Sequence, residues 1–384
     1  MKDAPLRAAI VVHVVDNFGD AGVAWRLARQ LRHEHDVEAT LWIDRPDVLG
    51  RFLHGYDPRC DDAVVDGVRV RALGARVRVP DPMPQVVVDA FGGGLPDAWL
   101  DAFEAAPAPP RWIVLEYLSA EAWVEGVHGR PSPPPRRRLA RWFFCPGFTP
   151  GTGGLLRERG LLAERDAFVA AAHARDAPWT ALGLPPPPAH ALRVSLFCYP
   201  TDALGPLLHA WAGGARPLAC LVPHGVAADA VDGFLGTAAA AGTSHRRGSL
   251  VLDVVPFVAP AAFDRRLWSC DFSVVRGEDS FVRAQWAARP FAWHAYPQSG
   301  GAYRAKRDAF LARYCDGLHA GAAQALAAFT SAFGDGDGAS AAAVWPALEA
   351  SLPAIASHAR DWVARLAAVP DLATQLVDFV RGRL

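Results

Sequence analysis

The run Val274-Val275-Arg276-Gly277-Glu278-Asp279-Ser280-Phe281 reads as a buried strand entering a charged turn and then an amphipathic helix. A helix N-terminus carries about half a positive charge and several unpaired N–H groups, so such a turn can hold an anion such as a diphosphate. Arg276 adds a fixed positive fork. Glu278 and Asp279 oppose phosphate and suit hydroxyls or a base edge, and the mixture fits a sugar nucleotide. A second run, Val15-Asp16-Asn17-Phe18-Gly19-Asp20-Ala21-Gly22, closes the first strand and opens a helix. Gly19 and Gly22 permit a tight turn with close backbone approach. Asp16 and Asp20 place two carboxylates beside them, which repel phosphate and favour a cationic or hydroxyl-bearing acceptor. The plainer reading makes Asp20 an N-cap and Asp16 an Asx-turn residue.

Four aromatics stand at or just past strand ends in the second half: Phe197, Tyr199, Phe257 and Phe263. Rings in that position can stack a nucleobase or pack a sugar, whereas rings inside strands fill core. Asp89-Ala90-Phe91-Gly92-Gly93-Gly94 follows another strand and reads either as a further lining of the cleft or as a plain turn. Glu116 to Trp123 mixes aromatics and acids, suiting either a partner surface or a cap with a core aromatic pair. His294 alone reads as a core histidine. Asp335-Gly336-Asp337-Gly338 imitates a two-acid metal motif, but no strand precedes it and it reads as a flexible loop. HExxH, GxSxG and GxGxxG are all missing, so zinc peptidase, serine hydrolase and dinucleotide-dependent hydride chemistry have no support.

The elements that must position these residues alternate. Strand-like runs at Ala8–Val15, Val37–Ile43, Val86–Ala90, Trp112–Leu115 and Trp142–Cys145 are separated by helical or loop material. The pattern restarts at Leu192–Cys198, Pro217–Val222, Leu250–Val255, Phe272–Val275 and Phe291–Ala295. Alternation of this kind predicts βαβ units around parallel sheets, hence an α/β chain of two Rossmann-like domains facing across a cleft. The expected division is 1–184 as acceptor-binding domain, 185–191 as a stiff linker carrying Pro185 to Pro188, and 192–365 as nucleotide-sugar domain. Residues 366–384 are expected as a helix crossing back, with Pro353 and Pro370 as breaks in the helical tail. At 384 residues, 51% apolar and 21% charged, each half can bury a core. The net charge of −1 gives no basic field for nucleic acid. Pro133 to Pro135 followed by Arg136 to Arg138 reads as a basic docking patch or, more plainly, as a solvated loop. The six cysteines lack CxxC spacing, so neither a metal site nor a disulfide framework is expected. Met1 to Arg7 does not read as a secretory signal, and no apolar run approaches the roughly 20 residues of a membrane span. A cytoplasmic protein with no membrane partner is expected.

Several strings together resemble one family, the EarP-type protein-arginine rhamnosyltransferases. They are Val15 to Asp20 with Trp25-Arg26-Leu27-Ala28-Arg29-Gln30, then Leu115-Glu116-Tyr117-Leu118-Ser119-Ala120-Glu121, then Pro146-Gly147-Phe148-Thr149-Pro150 with Gly153-Gly154-Leu155-Leu156, and finally Arg276 to Trp286. The resemblance spans nearly the whole chain. It implies a GT-B glycosyltransferase that moves rhamnose from dTDP-β-L-rhamnose to an arginine of elongation factor P, with inversion, without a metal and without a cofactor. It implies donor contacts at Phe197, Tyr199, Phe257, Phe263, Arg276, Asp279 and Ser280, and a need for Glu278 in transfer. The loop Asp16, Asn17, Phe18, Gly19 and Asp20 is implied to meet the acceptor, with Asp20 or Asp16 as base. One departure is Pro260, where the family often carries glutamine. The competing readings are a GT-B transferase with another nucleotide sugar and a small-molecule or lipid acceptor, and a non-catalytic sugar-nucleotide sensor.

Overall fold

The computed structural model describes residues 5–74, 77–132, 139–298 and 300–383; the proline–arginine run 133–138 lies outside them. The chain divides into two compact units, Met1–Arg159 with Leu366–Leu384, and Gly160–Arg365.

The first unit holds β1 (Leu6–Val12), β2 (Val37–Ile43), β3 (Asp62–Val65), β4 (Val68–Ala72), β5 (Val86–Ala90), β6 (Arg111–Leu115), β7 (Pro131–Ser132) and β8 (Arg141–Phe144). They form one sheet in the order β3-β4-β2-β1-β5-β6-β8-β7. The central strands are parallel, and β3 and β7 are antiparallel edges. Sequence patterning found the apolar central strands and missed β3, β4 and β7. β3 is only four residues long and β7 two, and in β4 Arg69 and Arg71, both paired to Asp62, break up the apolar run. Against one part of the sheet Trp42, Trp99, Phe103 and Trp112 form an aromatic core, with the Trp42 and Trp99 rings edge-on at 4.9 Å. After β1 the helix Asn17–Glu34 buries Val23, Ala24, Leu27, Ala28 and Leu31.

The helix Leu372–Arg381 belongs to this unit. Asp371 caps it by accepting from the Thr374 amide at 3.1 Å and takes the Gln30 amide group at 3.0 Å. The Leu372 N–H donates to the Leu155 carbonyl at 3.0 Å, and the Phe379 ring meets Phe144 edge-on at 5.6 Å. Gly154 is required at this junction: its φ is +69°, and a Cβ there would stand 2.6 Å from the Pro370 carbonyl.

The second unit holds β9 (Leu192–Leu196), β10 (Leu218–Pro223), β11 (Thr243–Arg247), β12 (Leu250–Val255), β13 (Phe272–Arg276) and β14 (Phe291–His294). Their order is β11-β12-β10-β9-β13-β14, parallel except for the polar edge strand β11. Among the parallel strands of each sheet the order reverses once, between β1 and β5 and between β9 and β13. Those are the switch points where doubly wound sheets bind ligands.

Two sequence expectations are corrected here. The unit boundary falls at Arg159 rather than 184, so the proline run 185–188 is internal to the second unit and is not a linker between units. The cause is Trp179, which packs with Ala219, Leu221, Val255 and Cys270 while its indole N–H donates to Asp253 at 2.8 Å. The helix Gly338–Ala367 runs through Pro346 and Pro353 without ending, because Trp345, Leu348, Leu352 and Ile355 bury its inner face. Burial there outweighs the missing helical bonds.

An ion pair ties the elements of the second unit's switch point together. Arg283, on the helix Asp279–Trp286, forks onto both oxygens of Asp264, on the helix Pro260–Ser269, at 2.8 and 2.7 Å. The side chains are 2% and 6% exposed. Removing one partner leaves a desolvated charge, so Asp264→Ala is expected to cost about 3–5 kcal/mol of stability in urea unfolding. A loss under about 1 kcal/mol, the level of an exposed pair, would show that the pair carries no such burden.

Candidate active site

In the second unit the donor residues picked from sequence converge. β13 ends at Arg276, Gly277 turns the chain at φ 59°, Glu278 stands at the N-cap, and the helix begins at Asp279. The Arg276 guanidinium carbon lies 4.5 Å from the centroid of Phe197 and 4.8 Å from that of Tyr199. Its Nη1 donates to the Cys198 carbonyl at 3.1 Å. Two aromatic faces and a carbonyl therefore hold the cation in place where β9 and β13 end. Phe257 and Phe263 extend the aromatic wall, their rings 6.1 and 5.7 Å from Phe197. Pro260 occupies the first turn of the helix Pro260–Ser269, where its missing N–H is harmless.

Ser280 also closes the turn. Its hydroxyl accepts from the Arg276 N–H at 3.0 Å and donates back to the Arg276 carbonyl, so it staples the turn that carries the arginine. Glu278 is buried and Asp279 half-buried at the helix mouth. The Trp293 indole donates to the Gly277 carbonyl at 3.0 Å and stacks on Phe281 at 3.9 Å. His294 is confirmed as a core residue behind Tyr199, 5.3 Å away edge-on, and burial followed by the charge of Arg276 pushes its pKa down to about 4. It is neutral at physiological pH.

In the first unit the acidic loop follows β1. Asp16 is the N-cap of the helix Asn17–Glu34, and Gly19 N–H donates to its carbonyl at 2.7 Å. Asp20 is therefore not the N-cap. It sits one turn in, and its Oδ2 reaches back to accept from the amides of Val15 and Asp16, each at 2.8 Å. Its other oxygen, Oδ1, is buried without a hydrogen-bond partner among the described residues. Asp16 is 8% exposed and Asp20 0%. Asn17 is exposed at φ 30°, and the half-buried Phe18 packs edge-on to Phe52 at 6.4 Å.

Sequence reasoning left the surroundings of Asp20 open. Phe91, from the glycine cluster after β5, stacks on Tyr117, from the loop after β6, at 4.3 Å and 12°. The Tyr117 hydroxyl favours the Asp20 carboxylate. Asp89, also buried, accepts from the Gly94 amide at 3.0 Å and fixes the glycine turn. Three loops after adjacent parallel strands thus gather at one point, a feature of sheet order invisible to local spacing. Burial is the first cause of a raised Asp20 pKa; the two amides and Tyr117 oppose it, and Asp44 adds to it.

Among the described residues no group of three or more His, Cys, Asp or Glu is placed to hold a metal ion. Asp335, in the two-acid motif, is bound instead by Tyr303, Arg304 and Arg307, which makes that segment a tethered corner rather than a flexible loop. No helix among the described residues is long and apolar enough to cross a membrane.

Two α/β units, each with its candidate residues at the switch point of a largely parallel sheet, match the GT-B fold of glycosyltransferases. A sequence model described as "Elongation-Factor P (EF-P) rhamnosyltransferase EarP" matches residues 8–381, and the chain belongs to that family. It is 47% identical over 377 residues to a protein-arginine rhamnosyltransferase of Pseudomonas putida, covering 98% of both chains. It is 43% identical to one of Pseudomonas aeruginosa, covering 96% of this chain and 97% of that one. A solved structure described as "Structural basis for EarP-mediated arginine glycosylation of translation elongation factor EF-P" is 36% identical, with a TM-score of 0.69, covering 98% of this chain and 99% of that one.

The raised pKa of Asp20 gives a stability test. The folded chain holds this proton more tightly than the unfolded chain, whose value is near 3.8. The contribution is full below that value and is lost as pH rises through the raised one. Asp20→Asn keeps an acceptor for the two amides without the charge. The variant should melt higher than the native chain at pH 7, with the gap closing toward pH 4. A variant that melts lower by the same margin at both pH values would sink the burial argument.

Proposed function

We propose that the chain transfers rhamnose from dTDP-β-L-rhamnose to an arginine side chain of elongation factor P in the cytoplasm, by a single inverting displacement that needs no metal. The observation that carries the acceptor half is Asp20, a buried carboxylate with one oxygen committed to the backbone and the other left over. A guanidinium has a pKa above about 12 and is a poor nucleophile until a proton leaves it. A desolvated carboxylate is a stronger base than one in water, and it also pairs with the cation it deprotonates.

The arginine nitrogen forms a bond to C1 of rhamnose while the bond from C1 to the diphosphate oxygen breaks, and its electron pair leaves with dTDP. The proton passes from the nitrogen to Asp20. Attack opposite the leaving group inverts C1. Asp16 orients the guanidinium, with Asn17, Phe18 and Gly19 shaping the loop around it. Arg276 and the N–H groups at the start of the helix Asp279–Trp286 stabilise the charge growing on the diphosphate, which is the task a metal would otherwise perform. Phe197, Tyr199, Phe257 and Phe263 pack against the base and sugar, and Glu278 and Asp279 take hydroxyls. The relatives named for arginine rhamnosylation and the acid pair both support this reading over a small-molecule acceptor or a sugar-nucleotide sensor.

Incubation with dTDP-rhamnose and elongation factor P should add one deoxyhexose to the intact acceptor by mass spectrometry. In that assay Asp20→Asn is expected to lower kcat by about 100-fold or more, with dTDP affinity nearly unchanged. Wild-type turnover in this variant would refute the base assignment. Arg276→Ala should weaken dTDP by about tenfold or more in calorimetry, and an unaltered affinity would remove the diphosphate role.

A further inference from the structure

The second unit contains a cavity of about 690 Å³ away from the residues described above. It opens at the amino ends of the parallel strands: Leu192 begins β9, Leu218 begins β10, and Asp271 and Pro290 immediately precede β13 and β14. The donor residues Phe197 and Arg276 stand at the opposite ends of β9 and β13. Its volume falls in the range of small-molecule sites, about 300–1,000 Å³. Trp211 and Trp345, packed edge-on at 5.2 Å, lie buried as the floor beneath it, and Pro346 and Pro353 stand exposed on its wall.

The polar groups on this cavity are mismatched. Arg289 lines it, is half-buried, and makes no hydrogen bond or ion pair among the described residues. Asp271 is close, but its two oxygens are taken by Arg175 and by the Arg193 amide. Arg175 and Arg360 add like charge around Arg289. The second cation on the wall, Arg216, is already compensated by Glu349 at 3.8 Å and the His190 carbonyl at 3.1 Å. A desolvated guanidinium with cationic neighbours and no acceptor is costly unless something else supplies the anion. Pro346 and Pro353 also line the cavity, and having no N–H they give no helical bond to the carbonyls of Ala342 and Glu349, two further lining residues. The wall therefore offers a cation, apolar proline surface and spare carbonyl acceptors together.

We propose that this cavity is a second ligand site, taking a small organic anion whose apolar body lies against Pro346 and Pro353 and whose carboxylate or phosphate head pairs with Arg289. The site is separate from the nucleotide-sugar residues and independent of how they are assigned.

Calorimetric titration of the full chain with 1-naphthoate, 1-naphthyl phosphate and the neutral 1-naphthalenemethanol, each with and without dTDP, tests it. At least one of the two anions should bind one to one, about tenfold or more tighter than the alcohol, and with the same affinity when dTDP is present; which anion wins identifies the head group. Arg289→Met should lose that preference, and Ala356→Trp, which fills the cavity from the helix Gly338–Ala367, should abolish binding. Equal binding of alcohol and anions, displacement by dTDP, or native affinity in either variant would overturn the proposal.

Discussion

The Arg276 guanidinium lies between the rings of Phe197 and Tyr199, and the second unit is arranged around keeping it there. A charge held against two π-faces is partly desolvated, so its field reaches further than that of a solvated arginine. The cation cannot take that position from its own strand alone. Ser280 closes the turn on Arg276 from the helix side, and the Cys198 carbonyl holds one nitrogen from the neighbouring strand. The Arg283 and Asp264 fork then fixes the helix that carries Phe263 against the helix that follows Arg276.

The first unit solves a complementary problem with a carboxylate. Asp20 is fully buried, and two backbone amides hold one of its oxygens. The other oxygen is left over, and burial raises the affinity of the group for a proton. Structure of this kind trades stability for chemistry, because a neutral side chain would sit in the same place at lower cost. Tyr117, stacked on Phe91, makes the trade tolerable by favouring the charged form from a further loop.

Much of this was legible in the residue order. The central strands β2, β5 and β12 lie on the same residues that their apolar runs marked, since strands buried on both faces read as continuous hydrophobic segments. The edge strands β3, β7 and β11 escaped notice because their side chains face water and look like loop. The boundary was misjudged for a related reason. Four consecutive prolines mark stiffness, yet whether stiff chain joins two units or lies within one depends on what the segment before it packs against, and Trp179 settles that through partners 40 or more residues away.

The sequence by itself determined which residues carry charge, which turns accept glycine and which family the chain resembles, because these depend on residue type and short spacing. It could nominate Arg276, Asp16, Asp20 and the four aromatics as one repertoire. Only the tertiary structure decided that Ser280 closes the turn, that Asp16 rather than Asp20 is the cap, that Tyr117 stands by Asp20, and that Arg289 lines a cavity whose neighbouring Asp271 is hydrogen-bonded to other partners. Those outcomes rest on which strand ends become neighbours in a sheet, and on how far burial strips water from a charge. Neither quantity exists until distant parts of the chain have packed together.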